Sequence, residues 1–377
     1  MAPRILYVVT EDWYFLSHRL PMARAARAAG YEVHVATRLN SGKAAIEGEG
    51  FTTHALDWRR GSLSPWHSIA GVMQLRQLLR VVKPDILHNV SLKPVLLGSV
   101  ASLGLSSIAI VNSLTGLGTL FVGDHRRSGL ARPLVRRALA VLLKCPNSRT
   151  IVQNPDDRRF VLELGVPQAS VAIIPGSGVD TALFMPLPQP PAPVTAAYVG
   201  RMLADKGVLT LIQALSLATA RGVQLQLLLA GDTDKENPGS LAPEQLREFA
   251  SAFGIRWLGY VTDIREVWAR AHFAVLASRR EGLPKSLLEA AACGRPMVAT
   301  DTPGCREIAI AGETALTVPV DDAPALAEAM IKMAGDTAMR ARFGKAARAL
   351  VEAKFSADAI GKEIVALYQS LVPVIGH

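Results

Sequence analysis

The sequence predicts an α/β chain of two doubly wound, Rossmann-like parallel-sheet domains that face a cleft. Three observations carry this. At 377 residues the chain exceeds what one hydrophobic core usually organises. Short, continuously apolar segments alternate with helix-length stretches, the pattern of parallel strands buried on both faces. The alternation stops at "P-L-P-Q-P-P-A-P", with five prolines in eight positions, and then starts again.

Taken in order, "I-L-Y-V-V" (5 to 9) reads as the first strand, followed by a helix from about Ser17 to Ala29 with Ser17 as its N-cap. Gly30 and the strand at 31 to 37 come next, and then apolar strands at 85 to 90, 107 to 113, 149 to 154 and 171 to 176. The first domain is therefore expected over 1–185, with the stiff proline-rich linker over 186–193. Strands at 194 to 201, 224 to 232, 255 to 260, 273 to 278 and 296 to 300 build a second domain over 194–355. A last helical pattern within 356–377 has no strand left to follow and is expected to pack back on the first domain.

Composition narrows the function classes. The three cysteines (Cys145, Cys293, Cys305) have neither C-x-x-C nor zinc-site spacing, so a reducing compartment and no structural metal are expected. The N-terminal apolar run is too short for a signal peptide and acids follow it directly, which favours a cytoplasmic protein. The uncharged stretch between Lys93 and Asp124 divides at "G-L-S-S" into a short helix and a short strand, each below the about 20 residues of a membrane span. A net charge of +9 calls for an anionic partner. Residues 125–144, with Arg126, Arg127, Arg132, Arg136, Arg137 and Lys144, read as a surface-lying amphipathic helix on an anionic membrane or, equally, as a core helix with a solvated basic face. Leu134, Ala138, Val141 and Leu142 form its apolar side. No aromatic residues interleave with these cations, so nucleic acid is not expected as a partner.

In open parallel sheets ligands bind beyond the carboxyl ends of the strands, so chemistry is sought in the loops there. After the first strand of the second domain, "G-R-M-L-A-D-K-G" places Arg201 and Lys206 on either side of a strand-to-helix turn, a site suited to a diphosphate. After the strand at 273 to 278, Glu281-Gly282-Leu283 forms a loop, Pro284 takes the first helical position, and Glu289 lies near the second helical turn. About three extended residues at roughly 3.3 Å each and about five helical ones at roughly 1.5 Å give a ceiling of roughly 15 to 17 Å between the glutamates, and about 10 Å after the bend. A retaining glycosidase needs its carboxylates about 5 Å apart. The spacing instead suits two hydroxyl-binding groups at opposite ends of one elongated ligand, such as a nucleotide sugar.

The motif "E-G-L-P-K-S-L-L-E", followed by "A-A-A-C-G-R-P-M-V-A-T-D-T-P-G-C-R-E-I" and preceded by "G-R-M-L-A-D-K-G", resembles the retaining glycosyltransferases of family 4, which have the GT-B fold. In the first half, "S-H-R-L-P-M-A", "P-D-I-L-H" and "N-S-L-T-G-L-G" are similar to bacterial members acting on undecaprenyl-diphosphate-linked saccharides. The resemblance implies a donor site of Gly200, Arg201, Lys206, Glu281, Gly282, Leu283, Pro284 and Glu289. In it Arg201 and Lys206 hold the leaving diphosphate, Glu281 the donor sugar and Glu289 the ribose. Arg201, Lys206 and Glu281 are the implied catalytic set, and no metal or other cofactor is needed. It also implies a nucleotide-diphosphate sugar as donor, UDP-linked by preference, and a lipid-linked or glycan acceptor at the inner face of the cytoplasmic membrane.

Two departures touch the first domain. The paired glycines that many members carry after strand 1 are replaced by "T-E-D-W-Y-F-L-S-H-R", and a common histidine by "L-T-G-L-G". His18, Arg19, Thr115 and Gly116 are the acceptor-side candidates. "G-L-G-T-L-F" lacks the third glycine of a dinucleotide fingerprint. A nucleotide-sugar 2-epimerase of similar fold and a non-catalytic glycan-binding or scaffold protein are the alternatives; the intact Arg201, Lys206, Glu281, Glu289 set speaks against the latter.

Overall fold

The computed structural model describes residues 2–58, 65–115, 131–176, 178–251 and 254–374. The chain forms two compact units, Met1–Gly178 with Ala357–His377, and Val179–Ser356.

The first unit is built on a seven-stranded sheet in the order β3-β2-β1-β4-β5-β6-β7. Its strands are β1 (Arg4–Glu11), β2 (Glu32–Arg38), β3 (Thr52–Ala55), β4 (Ile86–Val90), β5 (Ala109–Leu114), β6 (Ser148–Val152) and β7 (Val171–Ile173). All pairings are parallel, with Ile5 opposite Val33 on one side and Ile86 on the other. The helices between are α1 (Asp12–His18), α2 (Leu20–Ala28), α3 (Lys43–Gly48), α4 (Pro65–Val82), α5 (Leu92–Ala101), α6 (Ala131–Leu142) and α7 (Pro155–Glu163). The central strands β1, β4 and β5 are buried almost throughout because both faces are covered. Ile5, Tyr7 and Val9 meet Phe15, Met22 and Ile46 on one face, while Leu6 and Val8 meet Leu75, Leu79 and Ala101 on the other.

The single helix expected from Ser17 to Ala29 is two helices joined at Arg19. Pro21, in the first turn of α2, has no N–H to give and its ring would clash with the carbonyl four residues back, so α1 cannot continue through it. Ser17 is therefore not an N-cap: it lies in the last turn of α1 and donates its hydroxyl to the Trp13 carbonyl at 2.7 Å. The edge strand β3 and a strand at Ala315–Val318 in the second unit are not among the expected ones; β3 holds only exposed and half-buried residues, so it lacks an apolar run. No helix among the described residues is long and apolar enough to cross a membrane.

The second unit has a six-stranded parallel sheet ordered β10-β9-β8-β11-β12-β13. Its strands are β8 (Val194–Val199), β9 (Leu225–Ala230), β10 (Ile255–Gly259), β11 (Phe273–Leu276), β12 (Met297–Thr300) and β13 (Ala315–Val318). Helices α8 (Val208–Ala220), α9 (Pro243–Ser251), α10 (Arg265–Arg270), α11 (Lys285–Ala292), α12 (Ala323–Gly335) and α13 (Thr337–Leu350) accompany them.

The units part at Gly178 and again at Ser356, not at the proline-rich stretch. Val179 and Phe184 are buried in the second core, and Arg348 donates to the carbonyls of Thr181 and Phe184. The prolines then run along the second unit, where the Leu187 N–H reaches the Cys293 carbonyl at 3.1 Å and Arg295 reaches the Pro188 carbonyl at 2.8 Å. The last helix, α14 (Ala357–Leu371), returns to the first unit and buries Ile360, Ile364 and Tyr368 beside Tyr7 and Met22.

Candidate functional site

In the second unit the chain leaves β8 toward β9 and β10, then crosses back to β11, so the carboxyl ends of β8 and β11 flank the point where strand order reverses. Ligands bind at such a point in doubly wound sheets. The loops after these two strands touch. Gly207, the residue ahead of α8, has φ +69°, and a Cβ there would come within 2.0 Å of the Ala277 carbonyl oxygen. Glycine is required twice over, for the left-handed backbone and for the contact.

That contact sets Lys206, one residue before Gly207, against the loop that begins one residue after Ala277. Lys206 Nζ donates to Glu281 Oε1 at 2.6 Å, and Ser278 Oγ donates to the same oxygen at 2.6 Å. Thr300, the last residue of β12, donates its hydroxyl to the Ser278 carbonyl at 2.5 Å. From the loop after β12, Gly304 (φ +78°) presses on the same turn, for a Cβ there would lie 2.3 Å from the Gly282 carbonyl oxygen. Three strand-end loops thus fix Glu281, whose side chain is 11% exposed against 27% for Lys206, so the lysine is the group presented outward.

Arg201 does not stand beside Lys206 as a second bare cation: its guanidinium donates to Asp234 Oδ2 at 2.6 Å, in the loop after β9. Its carbonyl accepts the Tyr198 hydroxyl at 2.7 Å, and the Gly200 carbonyl lies so close to Gly231 that a Cβ there would be 1.9 Å away. Asp234 was missed by the sequence reading, although "A-G-D-T-D" follows β9 as "G-R-M-L-A-D-K-G" follows β8. Arg279 was missed as well. It holds both carboxylate oxygens of Asp321 at 2.9 and 3.0 Å, and its N–H bonds the Asp205 carbonyl at 3.0 Å, which ties the Lys206 turn to the Glu281 loop.

Glu289 is buried in the second turn of α11 and pairs with Lys285, one turn earlier, at 3.2 Å. Burial pushes its carboxyl above the usual glutamate value, against the pull of the Lys285 ammonium. Glu281 and Glu289 therefore answer to different cations. Helix α11 begins at Lys285, and Pro284 is its extended N-cap rather than its first helical residue (ψ 110°). The Leu283 side chain packs half-buried against the core, and Glu281 and Gly282 are half-buried as well.

The first-unit candidates have different surroundings. His18 closes α1 with its ring stacked on Tyr14 at 4.3 Å and Nδ1 2.6 Å from Ser17 Oγ. Arg19 is 3% exposed and reaches the Met22 sulfur at 3.4 Å. Thr115 follows β5 and is half-buried; Gly116 lies outside the described residues. Beneath them runs a buried chain of hydrogen bonds that the sequence did not announce: Tyr7 to Tyr368 at 2.8 Å, Tyr368 to His88 Nδ1 at 2.5 Å, and His88 Nε2 to Ser113 at 2.6 Å. Burial drives His88 well below its ordinary value, assisted by the Arg19 charge, and raises both tyrosines, so the chain is neutral. Asp12 serves the backbone. Burial works to raise its carboxyl, but the N–H groups of Asn40, Gly42 and Trp13 outweigh this and hold it below the usual aspartate value. Among the described residues no cluster of three or more His, Cys, Asp or Glu side chains could hold a metal ion.

The apolar side read from the sequence for α6 is split between surface and core. Leu139, Leu142 and Leu143 face the core, whereas Leu134 and Val141 are 71% and 64% exposed.

Both halves of the chain match known families. Residues 4–148 match the family described as Glycosyl transferase 4-like, and residues 193–336 that described as Glycosyl transferases group 1. An N,N'-diacetylbacillosaminyl-diphospho-undecaprenol alpha-1,3-N-acetylgalactosaminyltransferase of Campylobacter jejuni is 23% identical over 95% of this chain and 98% of its own length. The capsular polysaccharide biosynthesis glycosyltransferase CapM of Staphylococcus aureus is 29% identical over 46% of each chain, so that match spans about half of either. Among solved structures, sucrose-phosphate synthase of Thermosynechococcus elongatus superposes with a TM-score of 0.79 at 22% identity, covering 98% of this chain and 99% of its own. Anabaena HepE, in complex with UDP-glucose, does so with 0.77 at 17%, covering 97% and 99%. These likenesses establish the two-domain fold.

Proposed function

Since this chain belongs to the family 4 glycosyltransferases of GT-B fold, we propose that it moves a hexose or N-acetylhexosamine from a nucleotide-diphosphate sugar to a lipid-linked or glycan acceptor in bacterial surface-polysaccharide assembly, with retention at the anomeric carbon. The observation that carries this reading is the Lys206–Glu281–Ser278 cluster at the strand-order reversal. The site holds one outward cation on a rigid turn, one carboxylate aligned by two donors, and a second carboxylate, Glu289, along the helix that follows.

In this reading Lys206 binds the donor diphosphate and stabilises the charge that grows on it as the glycosidic bond breaks. That interaction strengthens toward the transition state and so raises kcat. Arg201 adds a second cation once the phosphate competes with Asp234. Glu281 accepts a hydrogen bond from a donor-sugar hydroxyl while Ser278 keeps its carboxylate oriented, and Glu289 accepts from the ribose. The two cations serve in place of a metal ion, and the leaving phosphate takes the acceptor proton, so no carboxylate nucleophile is required. A UDP-linked donor follows from the motif resemblance, and a diphospho-polyprenol saccharide is the acceptor class named for the Campylobacter relative. The basic segment 125–144 would hold the enzyme at the inner membrane face, where such an acceptor is presented.

Lys206→Ala tests this. Turnover is expected to fall by about a hundredfold or more, in line with loss of one transition-state charge contact, with the thermal midpoint little changed. Wild-type turnover in that variant would refute the assignment. A thermal-shift screen across nucleotide sugars identifies the donor.

A further inference from the structure

Three arginines are buried among the described residues, Arg19, Arg295 and Arg340. Two of them are held by oxygen atoms. Arg295 donates to the carbonyls of Trp268 and Pro188 at 2.9 and 2.8 Å, and Arg340 to those of Met333 and Ala334 and to the Thr337 hydroxyl. Those two cations serve the fold itself. Arg19, 3% exposed, is different. Among the described residues its Nη1 meets only the Met22 sulfur, a weak acceptor at 3.4 Å, and its Nε meets no acceptor at all. A buried charge without an oxygen partner is strongly destabilising, so the native contacts do not account for its being kept.

Arg19 stands at the junction of α1 and α2, beyond the carboxyl end of β1. In the first sheet β1 and β4 flank the point where strand order reverses, as β8 and β11 do in the second. Doubly wound sheets bind ligands at such a point. The Arg19 charge is felt by Tyr7 of β1 and His88 of β4, one on each flanking strand. The polar atoms of Tyr7, Tyr368, His88 and Ser113 already bond one another. Contact with Met22, the third residue of α2, sets the guanidinium at the first turn of that nine-residue helix, whose N-terminus has no side-chain cap. Helix dipole and guanidinium there attract the same kind of group, an anion.

We infer that Arg19 anchors a phosphate group of the acceptor, in the diphosphate that joins a lipid-linked saccharide to its prenyl chain. The inference rests on the lipid-linked acceptor of the proposed function and adds the residue that recognises it. A guanidinium fork matches two phosphate oxygens, and a phosphate gives it a far stronger acceptor than the Met22 sulfur. In the proposed function the donor diphosphate has Lys206 and Arg201, both in the other unit. Arg19 therefore serves a second phosphate-bearing substrate.

The test is calorimetric titration of farnesyl diphosphate, and separately of inorganic pyrophosphate, into the full chain saturated with a nucleoside diphosphate. Farnesyl diphosphate is expected to bind at one site, about ten- to a hundredfold more weakly in Arg19→Met, as for removal of a charged hydrogen-bond donor. Arg19→Lys should fall between the two, because an ammonium keeps the charge and loses the fork. Relieved of a buried unpaired charge, ligand-free Arg19→Met should melt at or above the wild-type temperature. Lys206→Ala should weaken the nucleoside diphosphate and leave farnesyl diphosphate affinity as it is, so failure of the donor assignment leaves this site standing. Displacement of farnesyl diphosphate by the nucleoside diphosphate in the wild-type protein would overturn the inference without recourse to any variant. Equal farnesyl diphosphate affinity in wild type and Arg19→Met would overturn it as well, and a lowered melting temperature beside that result would make Arg19 a structural cation. Binding of pyrophosphate without binding of farnesyl diphosphate would assign the site to free phosphate and overturn the acceptor assignment.

Discussion

The two units share one architecture but use their strand ends differently. In the second unit charged side chains meet across loops: Lys206 with Glu281, Arg201 with Asp234, Arg279 with Asp321. In the first, the strand ends carry one looser pair, Arg38 with Glu11 at 3.5 Å, and Asp12 holds three N–H groups, while deeper in the strands Tyr7, His88 and Ser113 join Tyr368 in one buried neutral chain. Paired charges that a competing anion can separate suit a site for a charged donor. A satisfied neutral network suits a scaffold, because breaking it leaves buried polar atoms without partners.

The comparison breaks most visibly at Gly207. An alanine there must clear the Ala277 carbonyl, 2.0 Å from its Cβ, in a left-handed backbone, which displaces the Lys206 turn. A loss of at least about 2 kcal/mol is expected, together with most of the turnover, read by thermal melting and donor hydrolysis. Next is Tyr368→Phe, which removes the hydroxyl that joins Tyr7 to His88. About 1 to 3 kcal/mol should be lost from the first unit, with nucleotide affinity unchanged. A fall in nucleotide affinity would mean that the first-unit network belongs to the donor site after all.

Glu289→Gln gives the smallest effect and sharpens the contrast through pH. Burial raises the native Glu289 above the unfolded value of 4.5, so the native state binds the extra proton between those two values. Stability therefore falls as pH rises through that window, and is fully present below it. The glutamine variant should be flatter across it in melting experiments, and should bind the nucleotide sugar more weakly at neutral pH. An identical pH dependence in both proteins would show that Glu289 does not titrate there.

The legible part of the chain was the part with fixed local spacing. β8, β9, β11 and β12 are buried on both faces and announce themselves as apolar runs, and the Glu281 to Glu289 interval spans a single loop and helix start. Partners set by topology were not legible. The contact between Gly207 and Ala277 joins residues seventy positions apart, and Tyr368 finds His88 only because α14 returns to the first sheet. The sequence leaves open which side of α6 is buried because helical spacing permits two apolar stripes, and the packing of Leu139 and Leu143 decides it, leaving Leu134 and Val141 on the surface. The domain boundary was drawn at the prolines because they break structure, yet Val179 and Phe184 had already entered the second core.

The proposed donor site turns on Lys206, paired with Glu281, as the cation that meets the donor diphosphate. Calorimetric titration of a nucleoside diphosphate and the matching monophosphate into wild type and Lys206→Ala tests it most directly. Diphosphate affinity is expected to fall by about ten- to a hundredfold in the variant, the value of one charged hydrogen bond, while monophosphate affinity falls far less. Equal diphosphate affinity in the two proteins would contradict it.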